Sequence, residues 1–214
     1  MLKNKALFSI FMVNQLILPA CYLPPVSYFH VVQQHDLPIL LEKYEHYPKQ
    51  TYRTRTSIAT ANGKLDLVVP IVHGRKDHVA MKDIRINYEY DWQRLHWLSI
   101  QTAYRSSAYF EFYEDDFARF YTQKHDFLFD FNQEQLVLLL KLFKISRPIV
   151  ETTNYQKAYP DGMDFRPSFL PKNKTLLQNP KPYYQVFEAR TGFMPNMSSI
   201  DLLFNQGPQA RNFL

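Results

Sequence analysis

Lys49, Arg53 and Arg55 place three cations around one tyrosine, Tyr52, within the stretch 47–58. No acidic residue occurs from His46 to Leu65, so these charges lack a local counter-ion and suit a phosphate, sulfate or carboxylate, which a guanidinium holds through paired hydrogen bonds. Presenting them together requires a strand. Thr51, Tyr52, Thr54, Thr56 and Ile58 are β-branched or aromatic types that fit a pleated surface. A period of two then puts Arg53, Arg55 and Ser57 on one face, joined by Lys49 if the extended conformation begins there. The plainer alternative is a strand face that carries solubilising charge.

Other chemistries are narrowed by composition. Five glycines include neither a dinucleotide fingerprint nor a phosphate loop, so no cofactor is expected. The single cysteine, Cys21, excludes an internal disulfide and a multi-cysteine zinc site, and its position after an apolar strand reads as inert and buried. The seven histidines contain no paired helical ligand motif, and no metal is expected. The net charge of +5 is spread along the chain, which favours a small anionic partner over a stable nucleic-acid complex. Nothing in the sequence sets the oligomeric state.

The elements that must carry these residues are mixed. Gln15–Leu23 reads as a buried strand that stops at Pro24-Pro25, Val26–Gln34 as a short helix, and Leu37–Lys43 as a second apolar strand. Asn62-Gly63 predicts a type I′ hairpin turn between 51–61 and 64–72, and the alternation in 81–87 predicts another strand with Ile84 and Ile86 inward. Asp91 opens a helix read with Leu95, Leu98 and Thr102 on one core-facing stripe and Trp97, Ile100 and Tyr104 on its shoulder. A second helix is expected over 113–123, with an aromatic stripe that is mostly core. Asn132 with Gln135 resembles a capping box for a third helix over 133–143. Prolines at 160, 167, 171, 180 and 182 break up 154–182, which is read as a net-positive flap able to close over the cationic strand. Ser198 with Asp201 reads as the cap of a last helix that Gly207 ends. The expected fold is therefore α/β (mixed α+β): a β-rich N-terminal half with the Asn-Gly hairpin, packed on three to four helices, as a single domain over 1–214.

At its amino end the chain imitates an export or lipoprotein signal, with Lys3, Lys5, an apolar run and Leu18-Pro19-Ala20-Cys21. Asn14 and Gln15 interrupt that run, which is shorter than the ~20 residues a membrane span needs. A buried strand, no transmembrane span and a cytoplasmic location are expected.

Three blocks, 20–29 (Ala20-Cys21-Tyr22-Leu23-Pro24-Pro25 to Phe29), Lys49-x-x-Tyr52-x-x-Arg55, and 194–205 (Met194-Pro195-Asn196 to Asn205), resemble the WbqC-like family. Residues 92–97 and 108–113 support the likeness, which extends from about Leu18 to the C-terminus. Residues 1–14 and the proline-rich 154–182 depart from the family's pattern. The resemblance implies acyl or aminoacyl transfer, including glycyl transfer, onto a sugar in surface-polysaccharide (O-antigen, lipopolysaccharide) biosynthesis. Such a reaction needs an anion anchor, a base and donors for an oxyanion. Lys49, Tyr52, Arg53 and Arg55, with Tyr28 from the first block, are then the candidates for substrate binding, and a sugar nucleotide is a candidate partner. His30, His96 and Asp201 are the catalytic candidates, although His96 also reads as a core histidine and Asp201 as a cap. The competing function is a non-catalytic module that binds RNA or an acidic polysaccharide.

Overall fold

The structure, a computed structural model, describes residues 15–72, 78–159, 163–170 and 180–214. Its centre is a four-stranded, wholly parallel sheet in the order β5-β2-β1-β6, built from β1 (Leu16–Pro19), β2 (Ile39–Glu42), β5 (Ile149–Glu151) and β6 (Met163–Asp164). Both central strands are buried along their whole length, which is why they read as continuous apolar runs rather than alternating ones. Parallel pairing needs a crossover, and α1 (Val26–Gln34) supplies it between β1 and β2. Strand order runs outward from β1 through β2 to β5, then returns to the other side of β1 with β6. The carboxyl ends of β1 and β6 therefore flank a topological switch point, where open parallel sheets commonly bind ligands.

The lipobox-like Leu18–Cys21 lies in the central strand of this sheet and in the loop after it. The unusual start at 1–14 falls outside the described residues. Two strand expectations change. The segment 81–87 is a 3-10 turn at Met81–Asp83 followed by isolated bridges, although Ile84 and Ile86 do point inward. The proline-rich segment contributes β6.

The antiparallel hairpin β3 (Arg55–Thr60) and β4 (Gly63–Val68) stands apart from the sheet. Its turn is one residue earlier than the Asn-Gly reading. Thr60 pairs with Gly63, so Ala61 and Asn62 are the loop residues, and only Gly63 has a positive φ, +96°. A type I′ turn would need positive φ at both loop residues, and neither Ala61 nor Asn62 has it.

Three long helices complete the core: α2 (Trp92–Tyr104), α3 (Phe110–Thr122) and α4 (Leu128–Leu142). They are followed by the short α5 (Glu188–Thr191) and by α6 (Ser199–Gln206), making six α-helices among the described residues where three to four were expected. Phe204 of α6 sits among the rings of Tyr104, Phe110 and Phe117, which ties the C-terminus to α2 and α3. Gly207 ends α6 at φ +51°, where a Cβ would lie 2.5 Å from the Tyr109 ring. The aromatic stripe of α3 is mostly core, as its spacing indicates, with Phe110, Tyr113, Phe117, Phe120 and Tyr121 buried and Phe112 exposed. On α2 the expected stripe faces outward, and its expected shoulder residues Ile100 and Tyr104 are the buried ones. Trp92, His96, Ile100 and Ala103 are buried, while Leu95 is 54% and Leu98 45% exposed. No helix among the described residues is long and apolar enough to cross a membrane.

Candidate functional site

The cationic stretch is not one strand. Thr51–Thr54 is a tight turn in which the amides of Thr54 and Arg55 both donate to the Thr51 carbonyl at 3.2 Å. The turn breaks the two-residue alternation, so Arg53 and Arg55 do not share a face. Arg53 points inward and is 1% exposed. Its Nε and Nη2 each donate to the Glu45 carboxylate at 2.9 Å, and Nη1 donates to the Phe169 carbonyl at 3.2 Å. The counter-ion missing from 46–65 is thus Glu45, one residue before that window. Burial raises the Glu45 carboxyl, and the neighbouring Arg53 charge opposes that shift. With Nε, Nη1 and Nη2 each engaged inside the protein, Arg53 sits in the interior as a folding element and is not exposed beside Arg55.

Arg55 opens β3 and is half-buried, and its Nε is buried without a partner. Lys49 is exposed, next to Gln50 at φ +59°, and no described side chain pairs with it. The hydroxyl of Tyr47 is hydrogen-bonded to Thr54 Oγ1 at 3.1 Å. Tyr52 is half-buried, and its carbonyl accepts the Tyr22 amide at 2.9 Å.

That last bond is one of several that draw the three sequence blocks together at the carboxyl end of β1. The Leu23 carbonyl accepts Thr56 Oγ1 at 2.7 Å and Ser198 Oγ at 3.1 Å, while its amide donates to Gln135 Oε1 at 3.1 Å. Val26 N donates to Met197 O at 3.0 Å, Ser27 N to Asn196 Oδ1 at 2.9 Å, and Ser198 N to Ser57 O at 2.7 Å. Among the described residues, three of the five non-glycine residues with positive φ, Leu23, Gln50 and Asn196, fall in these blocks. Such conformations cost energy and persist only where the surroundings impose them, as they do at ligand sites.

Sequence reasoning missed the two residues that hold this arrangement from beneath. Asn132 and Gln135 do not cap a helix, because α4 already begins at Leu128 and both are fully buried in its interior. Asn132 Nδ2 donates to the Ala20 carbonyl at 3.0 Å and to the Arg53 carbonyl at 2.8 Å, and so joins the loop after β1 to the turn before β3. The usable signal was two amides one turn apart on the helix face that also carries Leu128 and Leu139, where a polar side chain must find a buried partner.

The catalytic candidates are dispersed. His96 is buried, with Nδ1 hydrogen-bonded to Tyr22 Oη at 2.9 Å and the Tyr22 hydroxyl bonded in turn to that of Tyr121 at 2.9 Å. Burial pushes the imidazole down to about 4, against a smaller upward effect from the Val68 backbone. It is therefore a neutral core group near pH 7. Asp201 is not a cap: its carboxylate accepts Tyr104 Oη at 2.8 Å, Tyr183 Oη at 2.7 Å and Gln185 Nε2 at 2.7 Å. Burial raises its carboxyl, while the bonds from Tyr183, Gln185 and Tyr104 pull it back. His30 bonds to Gln34 on its own helix at 2.8 Å. Tyr28 is fully buried, donating to the Pro19 carbonyl at 3.2 Å, so it packs beneath the loop and does not line a surface. Cys21 is buried and its thiol is pushed up to about 12, consistent with an inert reading. Among the described residues no hydrogen bond joins His30, His96 or Asp201 to one another or to Arg55, and no three His, Cys, Asp or Glu side chains are grouped to hold a metal.

Beside this arrangement lies a second buried cluster that spacing could not reveal. Glu42, fully buried at the end of β2, accepts the Tyr44 amide at 2.7 Å and Thr152 Oγ1 at 2.9 Å on one oxygen. The other oxygen accepts Arg166 Nη1 at 3.0 Å and Tyr159 Oη at 3.2 Å. Arg166 also clasps Asp164 through Nε at 2.9 Å and Nη2 at 2.6 Å. These bonds, with β6 and the Phe169 carbonyl, fasten Tyr159 and residues 163–169 of the proline-rich segment to the sheet edge. A flap over 154–182 cannot swing as one piece without breaking them; residues 160–162 and 171–179 lie outside the described residues.

A sequence profile described as the WbqC-like protein family matches residues 20–164. The 194–205 block lies beyond that match. An uncharacterised protein of Mycobacterium tuberculosis (strain ATCC 25618 / H37Rv) is 24% identical over 220 residues, covering 90% of this chain and 94% of that protein. No solved structure matches.

Proposed function

This chain belongs to the WbqC-like protein family, and from that premise we propose that it is a cytoplasmic transferase that moves an acyl or aminoacyl group, glycyl among them, onto an activated sugar in bacterial surface-polysaccharide assembly. The observation that carries the reading is the meeting of the 20–29, 47–58 and 194–201 segments around the Leu23 carbonyl, at the switch-point edge of the parallel sheet. Arg55 and Lys49, which have no counter-ion among the described residues, are assigned the phosphate or carboxylate of a sugar nucleotide. Tyr47 and Tyr52 flank them and are assigned the sugar or base face, which a ring can stack against. His96 and Asp201, bonded on every side to core groups, act as positioning residues: His96 through Tyr22, and Asp201 through Tyr104, which also accepts the Ala59 amide of β3 at 3.3 Å.

Calorimetric titration with a panel of sugar nucleotides tests this assignment. The Lys49→Ala, Arg55→Ala double variant is expected to fold as the parent does and to lose binding. Unchanged affinity would remove the anion-anchor role. Retention of oligonucleotides with a steep salt dependence, and no sugar-nucleotide binding, would replace the transferase with a binding module.

A further inference from the structure

The stripe of α2 that its sequence pattern assigns to the core is on the surface. Asp91, Leu95, Leu98, Thr102 and Arg105 are spaced four, three, four and three residues apart, the spacing of a helix-helix seam, and all five are exposed. A groove of about 470 Å3 runs beside them, closed on its far side by the hairpin residues Asn62 and Leu65 and by Phe187. Exposed leucines at seam spacing are an unburied apolar surface, and the charges at the two ends of the stripe indicate what covers it.

Asp91 and Arg105 both lie seven residues from Leu98. Laying two copies of α2 antiparallel about Leu98 sets each Asp91 opposite the partner's Arg105, brings Leu95 between the levels of the partner's Leu98 and Thr102, within one residue of the latter, and buries the two Leu98 side chains against each other. The same geometry opposes the helix dipoles favourably. Both charges are available for this. Arg105 has no side-chain partner among the described residues, and Asp91 is engaged only by Arg94, in a pair with both side chains more than 60% exposed, at 63% and 65%, where such pairs hold little energy. We propose that α2 is the contact of a two-fold homodimer, with Leu95 and Leu98 entering the partner's groove and two Asp91–Arg105 pairs fixing the antiparallel register. One patch serves both copies, as an isologous interface requires. A single helix seam with a hairpin rim is at the small end of specific interfaces, so the dimer should depend on concentration.

Sedimentation equilibrium of the full chain from low to high micromolar concentration provides the test. The weight-average mass is expected to rise from 25.5 kDa toward twice that value. Leu98→Glu should remain monomeric at every concentration, and Leu95→Gln should weaken association even if Leu98→Glu disturbs the helix. Asp91→Arg and Arg105→Asp alone should each weaken association about tenfold, because each turns two attractive pairs into two repulsive ones. The double exchange should recover most of the loss, with circular dichroism showing equal helix content throughout. A wild-type mass of one chain at all concentrations, a dimer indifferent to both leucine changes, or no recovery in the folded double exchange would each overturn the proposal.

Discussion

Arg53 and Arg55 carry the same group two residues apart and have opposite surroundings. Arg53 is enclosed, bidentate on Glu45 and capped by a carbonyl; Arg55 begins a strand, is half in solvent, and has a buried Nε with no partner. The difference comes from a few backbone angles in the 51–54 turn. A guanidinium that is fully bonded within the protein holds the fold together, and one left incompletely bonded at a strained edge is free to meet a ligand.

Removing each in turn is the strongest way to break that contrast. Arg53→Ala strands the Glu45 carboxylate in the interior and is expected to cost about 3–5 kcal/mol in urea denaturation. Arg55→Ala should stay within about 0.5 kcal/mol of the parent. Equal losses would mean that both arginines are structural.

A second test concerns the core group that the Tyr22 loop rests on. In the unfolded chain the His96 imidazole takes up a proton as pH falls through 6.5, whereas in the fold burial delays this to about 4. Between those values the unfolded state binds more protons, so the stability associated with neutral His96 is complete above pH 6.5 and is lost as pH falls to about 4. The total is about 3 kcal/mol. Denaturation at a series of pH values should show this loss in the parent and a flatter profile in His96→Gln. An unchanged profile would show that the imidazole is open to solvent.

A smaller effect is expected from Asn132→Leu, which leaves the Ala20 and Arg53 carbonyls without their donor at a cost of about 1–3 kcal/mol. The loop after β1 should loosen with it, so disulfide-exchange labelling of Cys21, slow in the parent because the thiol is buried, should accelerate at constant denaturant. Labelling as slow as in the parent would show that the loop is held independently of α4.

Much of the architecture is legible from local pattern because it is locally caused. The apolar runs of β1 and β2, the helix after Pro24-Pro25, the hairpin and the Gly207 stop follow from burial, proline geometry and the tolerance of glycine for positive φ. The candidate site was legible in part: the blocks themselves, and Lys49 and Arg55 as cations without neighbours of opposite sign. Illegible were Asn132 and Gln135, whose partners lie 79 and 112 residues away in the chain, and the Glu42–Arg166 pair, separated by 124.

By itself, then, the sequence determined which segments could be strands and helices and which family's blocks it carries, because propensity, periodicity and motif spacing act over a few residues. Which face of an element is inside was settled only by the tertiary structure. Arg53 turned inward because Glu45 and the Phe169 carbonyl were there to receive it, Asp201 became a three-donor acceptor because Tyr104, Tyr183 and Gln185 converge on it, and the Leu95–Leu98 face of α2 stayed outside because Trp92, His96 and Ile100 occupied the core first. In each case the deciding quantity is the free energy of burying a polar or apolar group against partners distant in the chain, and no local pattern records those partners.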